Sequence, residues 1–390
     1  MSWEYWLSRL TLISKAMATV SQVRSTTLSG LNHIDALLGN LPNWNYQTGS
    51  GNTLYYTFSV SSGTEGGNAS LLSGPSAFSA SQQAAARSAM SDVAKLTGIN
   101  FVETSTGSAA QVHFANADIN GSNTTGLTSS KYSYSYMSDQ TVTKFAAQSF
   151  VYLDNKEWAG MNANLSAGTQ GYETLLHEIG HMLGLKHPFE GTIRLPSAQD
   201  NTNFSLLSYT HAGGVHSTFS EYDVAALKWL YGGDGLAGNY GVNSTTGGRY
   251  FTGTSLADTL TGTSVADKLE GGKGNDVLNG GGGIDTAIFN GLSSAYSIVK
   301  TGAATWNVTG TDGADKVSNI ELLQFADKTI TLSTTPLTGA AAASASTSVI
   351  TAPVTSGADV AYASDSHPHG HDDFVQLVGH RGHFIDHSIA

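Results

Sequence analysis

Apolar residues recur at helical spacing in three stretches of the chain, and each stretch ends beside a glycine. The first follows a capping-box pattern at residues 79–82 and stops at Gly98. The second covers residues 171–183, where leucines occupy one side and histidines another. The third follows a capping-box pattern at residues 220–223 and stops at Gly232. These periods predict three amphipathic helices.

Short apolar runs between the helices predict β-strands. The runs cover residues 54–60, 99–103, 111–115 and 149–153. Residues 116–147 are polar and aromatic without a clear period, which predicts a loop with short strands. Strands that alternate with helices in this way favour a small mixed sheet with helices packed against it.

After about Gly235 the period changes to nine residues. Four units follow one another, at residues 253–261, 262–270, 271–279 and 280–288. Their sixth positions are aspartates: Asp258, Asp267, Asp276 and Asp285. The third and fourth units alone keep the full set of glycines: Gly271, Gly272, Gly274, Gly280, Gly281 and Gly283. The pattern is the nonapeptide GGxGxDxUx of calcium-binding parallel β-rolls.

Each unit of such a roll forms a turn and a short strand, so two units complete one coil. Turns on the same edge are then 18 residues apart, which pairs Asp258 with Asp276 and Asp267 with Asp285. Carboxylate and carbonyl oxygens at these turns predict about two or more structural Ca²⁺ sites. Four further strands should cap the roll, at residues 287–289, 296–300, 305–309 and 320–325.

The second helix carries the pattern HExxHxxGxxH. His177 and His181 are four residues apart, so both imidazoles lie on one helix face and can reach one Zn²⁺ ion. Gly184 lets the helix end, and the chain can then bring His187 to the same metal. Three nitrogen ligands leave one position open for water, which is typical of a catalytic zinc site. Glu178 lies beside them as the general base for that water.

Composition excludes several other classes of function. The net charge of −12 argues against nucleic acid as a partner, since nucleic acid requires a basic surface. The absence of cysteine excludes disulfides and thiolate zinc sites. No run of 18 apolar residues occurs, so we expect no membrane-spanning helix. Glu4, Arg9 and Lys15 interrupt the N-terminal stretch, which therefore does not have the pattern of a secretory signal peptide.

As an ordered set, the HExxHxxGxxH motif with Pro188, the Ser-Tyr pair at 208–209 and the nonapeptide units resemble the serralysins. These are secreted metzincin zinc endopeptidases with a C-terminal RTX β-roll, and the resemblance extends from about residue 28 to residue 332. It implies an α+β fold: a metzincin-like protease domain with a mixed sheet and helices, followed by an all-β parallel β-roll. It also implies that Tyr209 is a mobile zinc ligand that later stabilises the oxyanion.

One position departs from the family pattern. The family has a methionine two residues before its tyrosine, and that methionine forms an apolar floor beneath the zinc. In this chain the position is occupied by Leu207. Leucine and methionine are similar in volume, and such exchanges usually cost less than about 1.5 kcal/mol. We therefore expect activity to survive.

We predict four parts in the chain. They are a prosegment-like stretch (1–20), a zinc metalloprotease domain (21–235), an RTX β-roll domain (236–332), and an Ala/Ser/Thr-rich linker with a His-rich tail (333–390). The resemblance implies protein or peptide substrates, a proteinaceous inhibitor, and secretion from a bacterium through a type I exporter. That exporter reads an uncleaved C-terminal signal, for which residues 374–378 or 384–390 are candidates. We expect a monomer.

The function favoured by the sequence is a secreted zinc-dependent endopeptidase stabilised by calcium in its roll. One alternative is a non-catalytic RTX protein that binds or adheres in the presence of calcium and has a degenerate protease domain. The intact set of zinc ligands disfavours it. Another alternative is a structural zinc protein, in which Glu178 beside an open metal site would have no purpose. Plainer roles also exist for the turn aspartates, as turn formers, and for Tyr209, as a core tyrosine.

Overall fold

The computed structural model describes residues 18–39, 43–47, 51–236 and 238–332. The predictions for residues 1–17 and for the linker and tail at 333–390 lie outside the described residues. Within the described ranges, each helix is too short or too polar to cross a membrane.

The N-terminal region contains a five-stranded sheet with the order β2-β1-β3-β5-β4. Its strands are β1 (Thr53–Thr57), β2 (Asn100–Glu103), β3 (Val112–Ala117), β4 (Gly126–Tyr136) and β5 (Val142–Asp154). Strands β1, β2, β3 and β5 are parallel, whereas β4 pairs antiparallel with β5 at the edge of the sheet. The mixed sheet predicted from the sequence is confirmed.

The loop with short strands predicted at residues 116–147 is in fact largely a hairpin of two long strands, β4 and β5. Tyr132, Tyr134 and Tyr136 alternate with serines along β4, and neighbouring rings lie 6.2 and 5.9 Å apart. The rings pack against the short N-terminal helix α1 (Val20–Arg24). Tyrosine and serine differ little in hydropathy, so this alternation carries little periodic signal in the sequence.

The described residues form six α-helices. After α1 these are α2 (Asn32–Asp35), α3 (Ala80–Thr97), α4 (Ala159–Asn162), α5 (Gln170–Met182) and α6 (Glu221–Tyr231). The three helices predicted from the sequence correspond to α3, α5 and α6. Both predicted capping boxes are present at the starts of α3 and α6. The same two helices end at Gly98 and Gly232, which have left-handed φ values of 73° and 69°.

The core of the N-terminal region lies between the sheet and the helices. Met90 and Val93 of α3, Leu175 and Ile179 of α5, and Phe114 of β3 belong to one cluster of buried side chains. Burial of Leu175 and Ile179 fixes the rotation of α5 about its own axis. The core therefore determines which way the histidines of α5 point.

The C-terminal region consists of two five-stranded sheets, with the orders β15-β14-β10-β8-β6 and β11-β12-β13-β9-β7. The strands of the nonapeptide region are β6 (Tyr250–Thr252), β7 (Thr259–Thr261), β8 (Lys268–Glu270), β9 (Val277–Asn279) and β10 (Thr286–Ile288). Successive strands alternate between the sheets, and Leu260 on β7 pairs in parallel with Leu278 on β9. This offset is the coil of two nine-residue units predicted from the sequence.

Five more strands extend the two sheets. They are β11 (Ser297–Gly302), β12 (Thr305–Gly310), β13 (Gly313–Ser318), β14 (Leu322–Gln324) and β15 (Thr329–Thr331). The sequence did not predict β13 or β15, because β13 (GADKVS) has few apolar residues and β15 is only three residues long. β13 continues the parallel stack beside β9, and β14 continues it beside β10. The predicted fold class, α+β followed by an all-β parallel roll, is confirmed.

Helix α6 contacts both regions. Lys228 of α6 forms a partly buried ion pair with Glu270 of the roll. The same carboxylate accepts a hydrogen bond of 2.7 Å from the Tyr250 hydroxyl. The predicted domain boundary near Gly235 lies just after this helix, and the division of the chain into four parts stays a prediction.

Candidate zinc centre and calcium-binding turns

The three histidines of the motif converge because an oxygen atom holds the Nδ1 atom of each ring. His177 Nδ1 lies 2.7 Å from the Leu206 carbonyl, and His181 Nδ1 lies 2.9 Å from the Leu185 carbonyl. His187 Nδ1 lies 3.0 Å from Glu190 Oε1. A carbonyl or carboxylate oxygen accepts only, so each neutral ring carries its proton on Nδ1. The Nε2 lone pairs are then available to a cation.

The donor set fits Zn²⁺. His177 Nε2 and His181 Nε2 are 3.0 Å apart, and one ligand atom from each of the three histidines lies within 4.8 Å of the others. With both Nδ1 atoms donating, the two facing Nε2 atoms both present lone pairs, which a cation between them would reconcile. Three imidazoles whose second nitrogen bonds an oxygen acceptor are a usual ligand set for catalytic zinc.

The chain reaches His187 through a helix end at Gly184. This glycine has a φ of +97°, and the Leu185 N–H returns to the Gly180 carbonyl at 3.0 Å. Lys186 then ties the following loop to the N-terminal segment, since its ammonium donates to the carbonyls of Ala36, His187, Glu190 and Ile193. Burial lowers the pKa of Lys186 to about 8. The four hydrogen bonds of the Lys186 ammonium therefore help to position the loop that carries His187.

Glu178 lies on α5 between the three histidines of the motif and strand β4. Its side chain is fully buried, and Thr128 Oγ1 donates to Glu178 Oε2 at 2.8 Å. A Cβ atom at Gly126 would lie 2.6 Å from Glu178 Oε1, so only glycine lets the strand approach the carboxylate this closely. The start of β4 therefore holds the carboxylate in one orientation.

A turn at residues 205–209 lies beneath α5. Asp223 of α6 holds it by accepting hydrogen bonds from the Ser205 hydroxyl at 2.7 Å and the Leu206 N–H at 2.8 Å. Burial raises the pKa of Asp223 to about 7. Because the Leu206 carbonyl accepts a hydrogen bond from His177, this turn also orients the His177 ring.

Leu207, the departure from the family pattern, is fully buried at the centre of that turn. A Cβ atom at Gly180 of α5 would come within 2.9 Å of Leu207 Cδ2. Glycine at 180 therefore gives the branched leucine side chain room beneath the helix. The resulting contact is apolar, as expected for the floor of the metal site.

Tyr209 leaves the turn on the side of His177 and His187. Its ring centroid is 4.5 Å from that of His187 and 6.1 Å from that of His177. Phe189 packs against both Tyr209 and His187, at 4.9 and 5.0 Å. The structure thus brings together all five residues singled out at the catalytic site: His177, Glu178, His181, His187 and Tyr209.

The aspartates of the nonapeptide units form two columns of turns. Asp276 Oδ1 accepts the Asp258 N–H at 2.8 Å, and Asp285 Oδ1 accepts the Asp267 N–H at 2.8 Å. These are the pairs expected from the offset of two units. The backbone of each earlier turn is therefore bonded to the carboxylate of the turn above it.

The columns continue beyond the repeats. Asp276 N–H donates to Asp315 Oδ1 at 2.8 Å, and Asp285 N–H donates to Glu321 Oε2 at 2.9 Å. Asp315 and Glu321 do not follow the nine-residue period, so the sequence pattern did not predict them as acceptors. Only the parallel pairing of β13 and β14 places them in register.

The other carboxylate oxygens divide the four turns into two kinds. Asp276 Oδ2 and Asp285 Oδ2 are buried and have no hydrogen-bond partner among the described residues. By contrast, Thr254 donates to Asp258 Oδ2 from its N–H at 2.6 Å and its hydroxyl at 2.8 Å. Thr263 bonds Asp267 Oδ2 in the same way. Threonine donors thus satisfy the Oδ2 atoms in the first two turns. In the glycine-rich third and fourth turns the Oδ2 atoms are buried without such donors, which suits a cation.

Comparison with known families agrees with both parts of this arrangement. Residues 72–232 match the matrixin peptidase family, and residues 252–287 match four copies of the RTX calcium-binding nonapeptide repeat. A matrixin region implies a zinc site, and RTX repeats imply calcium. The resemblance inferred from the sequence is confirmed: the chain combines a matrixin metallopeptidase region with RTX repeats.

The individual proteins to which this chain is similar are a metallopeptidase and serralysins. Metallopeptidase AprA of Pseudomonas marginalis is 31% identical over 229 residues, which cover 53% of this chain and 46% of the relative. Serralysin G of Dickeya chrysanthemi is 28% identical over 207 residues, covering 45% and 39%. Serralysin of Proteus mirabilis is 31% identical over 130 residues, covering 27% and 26%. The aligned part spans less than half the length of each relative.

Proposed function

We propose that this chain is a zinc-dependent endopeptidase that hydrolyses peptide bonds in proteins. The observation that carries the proposal is the convergence of His177, His181 and His187 beside the buried carboxylate of Glu178. The three histidines would hold Zn²⁺ through their Nε2 atoms. When bound, the metal supplies Lewis-acid chemistry and makes a nearby water more acidic.

The residues around the metal have separate roles. Glu178, oriented by Thr128, takes a proton from the attacking water and returns it to the leaving amine. The Tyr209 hydroxyl donates a hydrogen bond to the oxygen that gains negative charge as the carbonyl is attacked. Leu207 and Gly180 form the apolar contact beneath the helix, and Asp223 keeps the turn in place.

The test is proteolysis of an unfolded protein such as reduced casein, in constant calcium, with and without a zinc-selective chelator. We expect cleavage to stop with the chelator and to return when zinc is added. Calcium-dependent folding without any cleavage, in zinc-loaded protein, would favour the non-catalytic RTX alternative. Zinc binding with neither cleavage nor calcium-dependent folding would favour a structural zinc protein.

Replacing Tyr209 with phenylalanine should lower kcat by about 10²-fold with little change in KM, because an oxyanion donor acts mainly in the transition state. Steady-state kinetics on a quenched fluorescent peptide would measure this. Tyr55→Phe, at an exposed position on β1, is the matched control. An unchanged kcat in Tyr209→Phe would remove the hydroxyl from the mechanism.

We further propose that calcium binds at the third and fourth turns, with Asp276 and Asp285 as ligands. Their free buried oxygens support this assignment, whereas threonine already occupies the corresponding oxygens of Asp258 and Asp267. Calcium bound there would stabilise the roll. Calcium is abundant outside cells, so this requirement fits secretion through a type I exporter and folding of the roll after export.

Calcium affinity should fall in acid. Burial raises the pKa of Asp276 and of Asp285 to about 6, above the usual value of about 3.9. In the metal-free roll these carboxyls therefore contribute stability below about pH 4, and that contribution is lost as the pH rises through 6. Calcium binds the ionised carboxylates, so calcium affinity rises with pH, whereas the contribution of these carboxyls to the stability of the metal-free roll falls with pH.

We expect the apparent calcium affinity per site to be about tenfold lower at pH 5 than at pH 7.5. Calcium titrations followed by circular dichroism at the two pH values would measure the shift. Equal midpoints would contradict ligation by these two carboxyls.

A further inference from the structure

A cavity of about 410 Å³ lies beside the zinc-facing His177 and Tyr209. Its wall combines large apolar side chains, including those of Trp158 and Met161, with polar groups. Among the described residues that line it, Glu173 is the one carboxylate, and none is lysine or arginine. The proposed catalytic centre therefore opens directly onto a pocket with an acidic group in its wall.

Glu173 is four residues before His177 on α5, one helical turn away, and its side chain is only 8% exposed. Its Oε2 atom accepts the His216 N–H at 2.5 Å and lies 3.1 Å from His216 Nδ1. The contact of its Oε1 atom is longer, at 3.4 Å from His211 Nδ1. One oxygen thus holds the loop at His216, and the other faces a weaker partner.

His211 can be replaced as that partner. Its side chain is 70% exposed, so it can rotate into solvent without disturbing the core. The Glu173 carboxylate has no such freedom, because the backbone N–H of His216 holds it and the side chain is buried. A cationic group that entered the cavity would meet a preoriented and poorly hydrated anion.

We infer that Glu173 makes this cavity a pocket for lysine or arginine side chains of the substrate. The inference rests on the proposed endopeptidase function and specifies its substrate class. The aliphatic stem of either side chain can pack against Trp158 and Met161, while its charged end pairs with Glu173. An acidic side chain would place two carboxylates together in a desolvated space, which is strongly unfavourable.

The experiment uses the full zinc- and calcium-loaded chain on an unfolded protein, with cleavage sites mapped by mass spectrometry. We expect lysine and arginine to be enriched at one of the two positions that flank the scissile bond. On matched peptides, kcat/KM should be about tenfold higher with lysine than with glutamine at that position. Glu173→Gln, which keeps an acceptor for the His216 N–H, should reduce this ratio to about one.

Glu157→Gln is the matched control. Glu157 is an exposed carboxylate next to Trp158, so its loss tests a general surface charge without touching the cavity wall. The lysine preference should survive in this variant. A preference lost equally in both variants would assign it to the surface field and overturn the inference.

Two more outcomes separate the possibilities. Active protein with no preference for basic side chains would overturn the pocket assignment and leave the endopeptidase function standing. A uniform fall in kcat/KM for all peptides in Glu173→Gln would show that Glu173 only anchors the loop at His216. Failure of the parent chain to cleave any substrate would instead count against the proposed function.

Discussion

Replacing Glu178 with glutamine is expected to lower kcat for peptide hydrolysis by about 10²–10⁴-fold while zinc stays bound. Glutamine is nearly isosteric and can still accept the hydrogen bond from Thr128, so the buried site should keep its shape. It cannot take up a proton at neutral pH, which removes the general base and the later general acid together. Kinetics on a fluorescent peptide and zinc analysis of the same preparation would measure both effects.

Glu103→Gln provides the control for the loss of a carboxylate elsewhere. Glu103 lies on β2 at the far edge of the sheet and pairs with Arg87 at 2.6 Å. Its replacement should leave kcat within about twofold, since surface ion pairs contribute little. Full activity in Glu178→Gln would show that another group moves the proton. Loss of zinc in that variant would indicate a ligand or structural role instead.

The second large effect concerns calcium. In the double variant Asp276→Asn/Asp285→Asn, the stabilisation gained on adding calcium should disappear. At a calcium concentration about 100-fold above Kd, each site that is lost removes about 2.7 kcal/mol from the free energy of unfolding. Thermal unfolding of the full chain, with calcium and with a calcium chelator, would measure the difference between the two conditions.

The matched variant is Asp258→Asn/Asp267→Asn, with the same change of charge in the other two turns. It should lower stability in both conditions, because Thr254 and Thr263 lose a charged acceptor. The increment on adding calcium should nevertheless remain. If both double variants lost that increment equally, all four aspartates would be ligands and the distinction between the two kinds of turn would be wrong.

The sequence predicted most of the catalytic site because that site is local. His177, Glu178 and His181 share one helix, and Gly184 and His187 follow within six residues of His181. Helical pitch and glycine conformation are enough to bring such residues together. The role of Tyr209 was predicted from family resemblance, since it lies 22 positions after His187 and no period connects the two.

Long-range pairing limited the rest of the prediction. Strand β4 approaches Glu178 through Gly126, yet its tyrosine and serine alternation has little hydropathy contrast. Asp315 and Glu321 join the aspartate columns only through the parallel pairing of later strands. Glu173 looks like any polar residue of an amphipathic helix until the cavity and the loop at His216 are present.

Because α6 contacts both regions, we expect it to couple zinc binding to calcium binding. Asp223 near its start fixes the turn that orients His177, and Lys228 near its end is paired with Glu270 in the roll. Ordering of either region therefore changes the contacts of the same eleven-residue helix. Coupling between two binding equilibria is reciprocal, so any factor by which calcium strengthens zinc binding equals the factor by which zinc strengthens calcium binding. The protease centre would thus act as an allosteric effector of the roll as much as the reverse.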